Sequence, residues 1–200
     1  MPDHYYSENP NSAHKPRVFA DTVLGQNLTF HTDAGVFSRD GVDTGSRILM
    51  EAAGPLSGKV LDMGAGWGAV GITIAKAFPD TFVTMAEINS RAIDLIHKNM
   101  AVNGVTNCET VATDGYANVT GEYDYILTNP PIRAGKAVIY KMFADSCAHI
   151  APDGAMYVVI RKQQGAPSAQ KYLSTLYSDV KIVEKEAGFW IIRCACPITE

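Results

Sequence analysis

The chain has 200 residues, 46% hydrophobic and 19% charged, which is enough apolar mass for one ordinary domain with a real core. Its formal net charge of −4 argues against a generic nucleic-acid coat, which would be basic overall, and leaves room for an enzyme with a local basic rim. No apolar run reaches the roughly 18 residues of a membrane span, and Met1-Pro2-Asp3-His4-Tyr5-Tyr6 lacks the basic-then-apolar order of a secretory signal.

Residues 1–16, polar and broken by Pro2, Pro10 and Pro16, read as an extended arm laid on the domain. Arg17 to Val23 and Asn27 to Thr32 flank Leu24-Gly25-Gln26, the pattern of a β-hairpin. A loop from Asp33 to Gly41 then leads into a helix capped by Asp43 or Thr44. It runs to about Ala53, with Ile48, Leu49 and Ala52 on one face.

A regular alternation of strand and helix begins at Lys59. Lys59 to Met63 is a short apolar strand, and Gly64-Ala65-Gly66-Trp67-Gly68 follows with glycine at every second position. Ala69 to Phe78 is a helix. Strand, glycine turn, helix is the opening of a βα unit in which backbone approaches a ligand closely. Trp67, too bulky to fill the turn, is expected to flank or cover that ligand. Gly66 to Gly71 also fits the dinucleotide fingerprint G-x-G-x-x-G, so two nucleotide-like cofactors compete at this point.

Pro79-Asp80 breaks the helix before a strand from Phe82 to Ala86. The next helix, Asn89 to Val102, carries Ala92, Ile93, Ile96 and Met100 on one face and ends at Asn103-Gly104. Strands follow at Cys108 to Ala112 and Tyr125 to Thr128. Ile139, Met142, Phe143, Cys147 and Ile150 mark a helix, Pro152-Asp153-Gly154 a turn, and the wholly apolar Ala155 to Ile160 a central strand. After a helix near Ser168 to Leu176, Val180 to Glu184 and Phe189 to Cys194 form a hairpin, because Lys185 to Gly188 is too short for a parallel crossover. Cys194 and Cys196 fall on one face of that strand. With Cys108 and Cys147 they form no C-x-x-C pair and read as reduced core residues of a cytoplasmic protein, with no metal site. The predicted fold is α/β: a doubly wound, mostly parallel seven-stranded sheet with an antiparallel last strand. It makes one domain over residues 1–200, with arm, hairpin and helix in 1–54 and the sheet in 55–200.

Ligands of such sheets sit at the carboxyl ends of the strands, beside the first one. Polar residues collect there. Glu87 stands about 20 residues after the glycines and can accept hydrogen bonds from ribose hydroxyls, a charge-assisted interaction of about 1.5–3 kcal/mol. Asp114-Gly115 can accept from an adenine amino group, and Ile88 can pack on the adenine face. Taken singly these acids read equally well as caps or turns; taken together they describe a nucleoside cofactor.

Thr128-Asn129-Pro130-Pro131-Ile132 is the most informative short segment. Two prolines fix the backbone and supply no N–H donors, so their carbonyls and the Asn129 side chain form a rigid row of acceptors. An exocyclic amino group on a planar base or amide donates two hydrogens and fits that row. Held so, its nitrogen can be aimed at an electrophile, and alignment of this kind supplies up to roughly 7–11 kcal/mol of barrier reduction.

Asp62-Met63-Gly64-Ala65-Gly66-Trp67-Gly68, Glu87, Asp114 and Asn129-Pro130-Pro131-Ile132 together resemble the class I S-adenosylmethionine-dependent methyltransferases that modify amino nitrogens. His4-Tyr5-Tyr6-Ser7, Gly35 to Gly41, Asp43-Thr44-Gly45-Ser46-Arg47, Asn129 to Lys136 and Gln164 to Ser168 narrow the likeness. They resemble the small-domain methyltransferases related to the small-subunit ribosomal RNA guanine-N2 enzyme, over nearly the whole chain. The resemblance implies a Rossmann-like fold and S-adenosylmethionine as cofactor. By position, Asp62, Gly64, Gly66 and Gly68 would cradle its methionine part, Glu87 the ribose, and Asp114 with Gly115 and Ile88 the adenine. Phe37-Ser38 would close the site, and Asn129, which would also contact the cofactor, would with Pro130, Pro131 and Ile132 hold the target amine. Many relatives carry an aromatic where this chain has Ile132; base stacking there is worth about 1–3 kcal/mol. The guanine enzymes also carry a second, duplicated domain, so monomer and homodimer both stay open here.

The implied activity is methylation of an exocyclic amine of RNA, guanine N2 in ribosomal RNA, with Arg133, Lys136, Arg161 and Lys162 meeting phosphates at the ligand edge. A protein glutamine amide, planar in the same way, is the alternative acceptor. A nicotinamide oxidoreductase would account for Gly66 to Gly71 and Glu87 but leaves Asp62, Gly64 and Asn129-Pro130-Pro131 without a role.

Overall fold

The computed structural model describes residues 12–198, so most of the expected arm, His4-Tyr5-Tyr6-Ser7 included, lies outside the described residues. The first elements are β1 (Arg17–Val23) and β2 (Gln26–Thr32), an antiparallel hairpin closed by Leu24 and Gly25. Both turn residues have positive φ, 49° and 72°, as the favoured two-residue hairpin turn requires. Then come α1 (Thr44–Ala53), β3 (Gly58–Met63), α2 (Ala69–Ala77), β4 (Thr81–Glu87), α3 (Ser90–Asn103), β5 (Cys108–Ala112) and β6 (Tyr123–Thr128). The chain continues through α4 (Lys136–Ser146), β7 (Ile150–Arg161), α5 (Ala166–Leu173), β8 (Tyr177–Glu186) and β9 (Phe189–Pro197).

β3 to β9 form one sheet in the order β5-β4-β3-β6-β7-β9-β8. All neighbouring pairs are parallel except those of β9, which is antiparallel to both β7 and β8 and sits one place in from the edge. The chain steps outward from β3 to β5 and then returns to β6 on the other side of β3. That reversal puts the switch point between the carboxyl ends of β3 and β6. Helices cover both faces, which is why the central strands are apolar on both sides: Val60, Leu61, Val83, Met85, Ile126, Leu127 and Val158 are wholly buried. The hairpin, α1, α2 and α3 share one core layer, and α4 and α5 the other.

Four expectations about the helices and the turn before the central strand are corrected. The helical spacing that ran to Ile150 stops earlier: α4 ends at Ser146, a 3-10 turn takes Cys147–His149, and Ile150 opens β7. Pro152-Asp153-Gly154 is no free turn but part of a bulge inside β7, because Tyr123 pairs with Ile150 and Tyr125 already with Ala155. The last helix starts at Ala166 and ends at Leu173, earlier at both ends than the expected Ser168 to Leu176. The buried stripe of α3 is Ala92, Leu95, Ile96 and Asn99, not Ala92, Ile93, Ile96 and Met100.

Asn99 explains the last shift. Its amide donates to the His31 carbonyl (3.0 Å) and accepts from the His31 N–H (2.7 Å), and Asn103 one turn on does the same for Thr29 (2.8 and 2.9 Å). Two side-chain amides thus stand in for a neighbouring strand and fasten β2 to α3. All four cysteines are free thiols. Cys194 is buried, but Cys196 has φ 54°, which breaks the strand alternation and leaves it exposed rather than in the core. Among the described residues no helix is long and apolar enough to cross a membrane.

Candidate active site

The strand ends converge at the switch point. Met63 pairs with Ala86 on one side and Thr128 on the other, so Gly64 and Asn129 leave the sheet level with each other. The Thr128 hydroxyl donates to the Met63 carbonyl (2.9 Å) and ties the two ends together. Gly64 and Ala65 both donate to the Ala86 carbonyl (2.9 and 3.1 Å), turning the loop toward β4. There Glu87 Oε2 accepts from Gly66 N–H (2.7 Å), while Oε1 accepts from the N–H groups of Ile88 and Asn89 (both 2.9 Å). The Glu87 carbonyl accepts from Thr113 N–H, which brings the turn bearing exposed Asp114 and half-buried Gly115 to the same edge.

The glycines divide into two kinds. Gly64, Gly66 and Gly68 all have positive φ (75°, 58° and 90°), a conformation side chains resist. A Cβ on Gly64 or Gly66 would meet no protein atom within 4 Å, so both face open space. A Cβ on Gly68 would lie 2.7 Å from Ile72 Cδ1, and one on Gly71 only 2.7 Å from the Met85 sulfur. Gly68 therefore faces the side chains of α2 and α3 and Gly71 lets α2 lie close on the sheet, whereas Gly64 and Gly66 line a cradle.

Asp62 points under the loop, buried, and Oδ2 accepts from Gly71 N–H (2.8 Å). Burial pushes its carboxyl up to about 7, opposed by the Gly71 N–H and reinforced by the charge of Glu87. Burial also raises Glu87, against the donations from Asn89, Gly66 and Ile88. The folded protein holds the Asp62 proton more tightly than the unfolded chain. Its stabilising contribution is therefore complete below the ordinary value of 3.8 and lost as pH rises through about 7. Asp62→Asn keeps an oxygen for Gly71 and removes the titration. Its stability relative to the parent should rise across that window, by at most about 1.4 kcal/mol per pH unit; urea midpoints differing by a constant from pH 4 to 8 would contradict this.

Trp67 corrects another expectation. It is 2% exposed and covers no ligand space. Its indole packs edge-on against Phe19 and Phe30 of the hairpin, with centroids 5.8 and 4.8 Å away. Its Nε1–H donates to the Phe37 carbonyl (2.8 Å). Asn89 donates to the Gly35 carbonyl (3.1 Å) and Arg91 to that of Ala34 (2.7 Å), so the loop carrying Phe37 and Ser38 is laid across Trp67 and the end of β4. Phe37 itself is 43% exposed at the rim.

On the other side of the cradle, Pro130 is buried and Ile132 packs against the α4–α5 core rather than standing free. The Asn129 amide nitrogen donates to Ser46 Oγ (3.1 Å) and to Asp43 Oδ1 (3.3 Å). Asp43 is the N-cap of α1, accepting from Ser46 N–H (3.1 Å) and Ser46 Oγ–H (2.6 Å). A carboxylate only accepts, so the Asn129 NH2 is committed to α1 and the amide oxygen forms its other edge.

The methyltransferase small-domain family model matches residues 27–193. The chain belongs to that family. It is 39% identical over 197 residues to the uncharacterized protein YbxB of Bacillus subtilis, covering 96% of this chain and 98% of that one. It is 34% identical over 147 residues to ribosomal RNA small subunit methyltransferase C of Vibrio cholerae, covering 72% of this chain and 43% of the relative. In structure it is similar to the T. thermophilus 16S rRNA N2 G1207 methyltransferase (RsmC) in complex with AdoMet and guanosine. There the TM-score is 0.82 at 26% identity, over 94% of this chain and 52% of that one. The methyltransferase small domain here therefore spans about half the length of its named ribosomal RNA relatives. It is an S-adenosylmethionine-dependent methyltransferase, and the nicotinamide alternative falls.

The cradle fits that cofactor: open space over two glycines, an acid beside it, and half-buried Ile88 next to the acid. Of the basic residues, Arg161 ends β7 with its guanidinium 4.4 Å from the Phe189 ring centroid. Lys162 follows, its N–H bonded to the Gly188 carbonyl. Arg133 lies in the 3-10 turn Ile132–Ala134 and Lys136 opens α4, its ammonium 4.9 Å from the Tyr140 centroid. Among the described residues no group of three or more His, Cys, Asp or Glu is gathered that could hold a metal. Two residues to which the sequence alone gives no site role, Asp43 beyond its cap and Ser46, also touch Asn129. Their only signal is the Asp43 to Arg47 stretch, which resembles the family without pointing to Asn129.

Proposed function

We propose that this methyltransferase domain acts on an exocyclic amino nitrogen of RNA, guanine N2 of ribosomal RNA, in the cytoplasm. The observation that supports this best is the Asn129 amide, held by its NH2 edge at the switch point, level with Gly64 and followed by two prolines. Bound over Gly64 and Gly66, S-adenosylmethionine supplies an electrophilic methyl group. The chain's part is to hold the acceptor: Asn129 Oδ1 and the Pro130 carbonyl take the two amino hydrogens and orient the nitrogen's lone pair. Glu87 holds the ribose, Asp114 with Gly115 and Ile88 the adenine, and Phe37-Ser38 closes the rim.

Ile132, an aliphatic side chain packed half-buried against the α4–α5 core, gives no stacking ring, and the exposed ring of Phe37 offers an aromatic surface at the mouth. Arg133, Lys136, Arg161 and Lys162 track phosphates from the carboxyl edge of β6 and β7. The deciding experiment is a methylation assay offering ribosomal RNA transcripts and glutamine-bearing proteins side by side, with RNA affinity measured against salt. RNA should be the acceptor, and replacing Arg133 and Lys136 with neutral residues should lower the salt slope by about 0.7 for each phosphate left without its cation. Label appearing only in protein amides, or binding independent of salt, would overturn the assignment.

A further inference from the structure

We infer that Asp43 and Ser46 are positioning residues for Asn129: they determine which edge of its amide meets the acceptor, a task separate from capping α1. The inference rests on the proposed role of Asn129 in orienting the target amine. Ser46 gives its hydroxyl proton to Asp43 Oδ2 (2.6 Å), so toward Asn129 its oxygen can only accept. Asp43 Oδ1 likewise only accepts. An Asn129 amide turned by 180° would set its oxygen against two acceptors and direct its NH2 at a substrate that is itself a donor. The pair excludes that arrangement. Without them the two amide orientations differ little, and the acceptor row loses its first member for part of the time.

Reach across 86 residues of sequence depends on Gly45. A Cβ there would lie 2.8 Å from Phe189 Cε1 and 3.1 Å from Asp43 Oδ1. Only glycine lets the first turn of α1 settle against β9 and carry Asp43 to Asn129. The same Phe189 ring supports Arg161 on its face. The first turn of α1, which carries Asp43 and Ser46, and one of the basic residues thus pack on a single aromatic side chain.

Asp43→Asn separates positioning from capping, because Asn and Asp cap helices about equally well, whereas an amide in place of the carboxylate turns an NH2 toward Ser46 and Asn129. The expected result is a kcat about tenfold or more below the parent, with the melting temperature and the affinity for S-adenosylhomocysteine unchanged. Asp43→Ala, which also loses the cap, should melt lower as well. In an Asn129→Ala background, Asp43→Asn should cost nothing further, since the group it positions is gone. Parental kcat in Asp43→Asn, or losses that multiply in the double variant, would overturn the inference. Parental turnover in Asn129→Ala alone would instead overturn the underlying reading of Asn129, so the two failures are distinguishable.

Discussion

Replacing Asn129 with alanine should lower methyl-transfer turnover by about a hundredfold or more while S-adenosylhomocysteine affinity stays within about tenfold. The asymmetry follows from where the side chain sits. Its nitrogen is tied to Asp43 and Ser46, on the α1 side of the cradle, while the hydrogen bonds of the glycine loop run to Ala86 and Glu87 on the β4 side. Removing the amide therefore leaves the loop's own hydrogen bonds intact and deletes an acceptor that counts most as the amine gains positive charge. Single-turnover rates with saturating RNA, set beside calorimetric titration of the nucleoside product, separate the two quantities. Equal losses in both would mean that Asn129 holds cofactor rather than acceptor.

The second large effect divides the glycines. Gly66→Val should lose cofactor affinity by about a hundredfold, since its side chain projects into the open space of the cradle. Its left-handed backbone adds a stability cost of about 1–2 kcal/mol. Gly71→Ala should behave in the opposite sense. The added methyl would collide with Met85 beneath α2, an overpacking cost of about 1–3 kcal/mol, lowering the melting temperature by roughly 3–10 °C. What remains folded should bind normally, because Gly71 faces the sheet. Thermal melts and titrations on both variants test the division, and a Gly71→Ala protein that melts like the parent but cannot bind would reverse it.

These two cases show what a linear reading of the chain reaches. The alternation of strands and helices, the glycine turn, Glu87 and the Asn-Pro-Pro segment are local patterns, and each lies where such patterns place it. Orientation within a pattern is not local. Every second residue of Gly64 to Gly68 is glycine, yet only the packing of Ile72 and Ile96 reveals that Gly68 faces inward. Trp67 is too large for a turn, which by itself points it at the ligand; that the hairpin, more than 30 residues earlier, offers Phe19 and Phe30 as its pocket is a tertiary fact. An apolar count treats a buried amide such as Asn99 as off-face, although here it serves as a hydrogen-bonding partner for β2. The helical period continues to Ile150 because a residue at the start of a strand happens to fall in phase with the helix before it.

The Trp67 anchor also bears on what can be moved between proteins. The hairpin looks like an accessory placed ahead of the sheet, and a graft of the glycine loop would be tempted to leave it behind. Yet the indole takes its packing from the hairpin and gives its N–H to the rim loop, while its backbone carbonyl accepts from Asn99, which in turn grips β2. The cofactor loop and the hairpin are one mechanical part. A transplanted sheet without residues 17–41 would bring its glycines along but not the shape they hold.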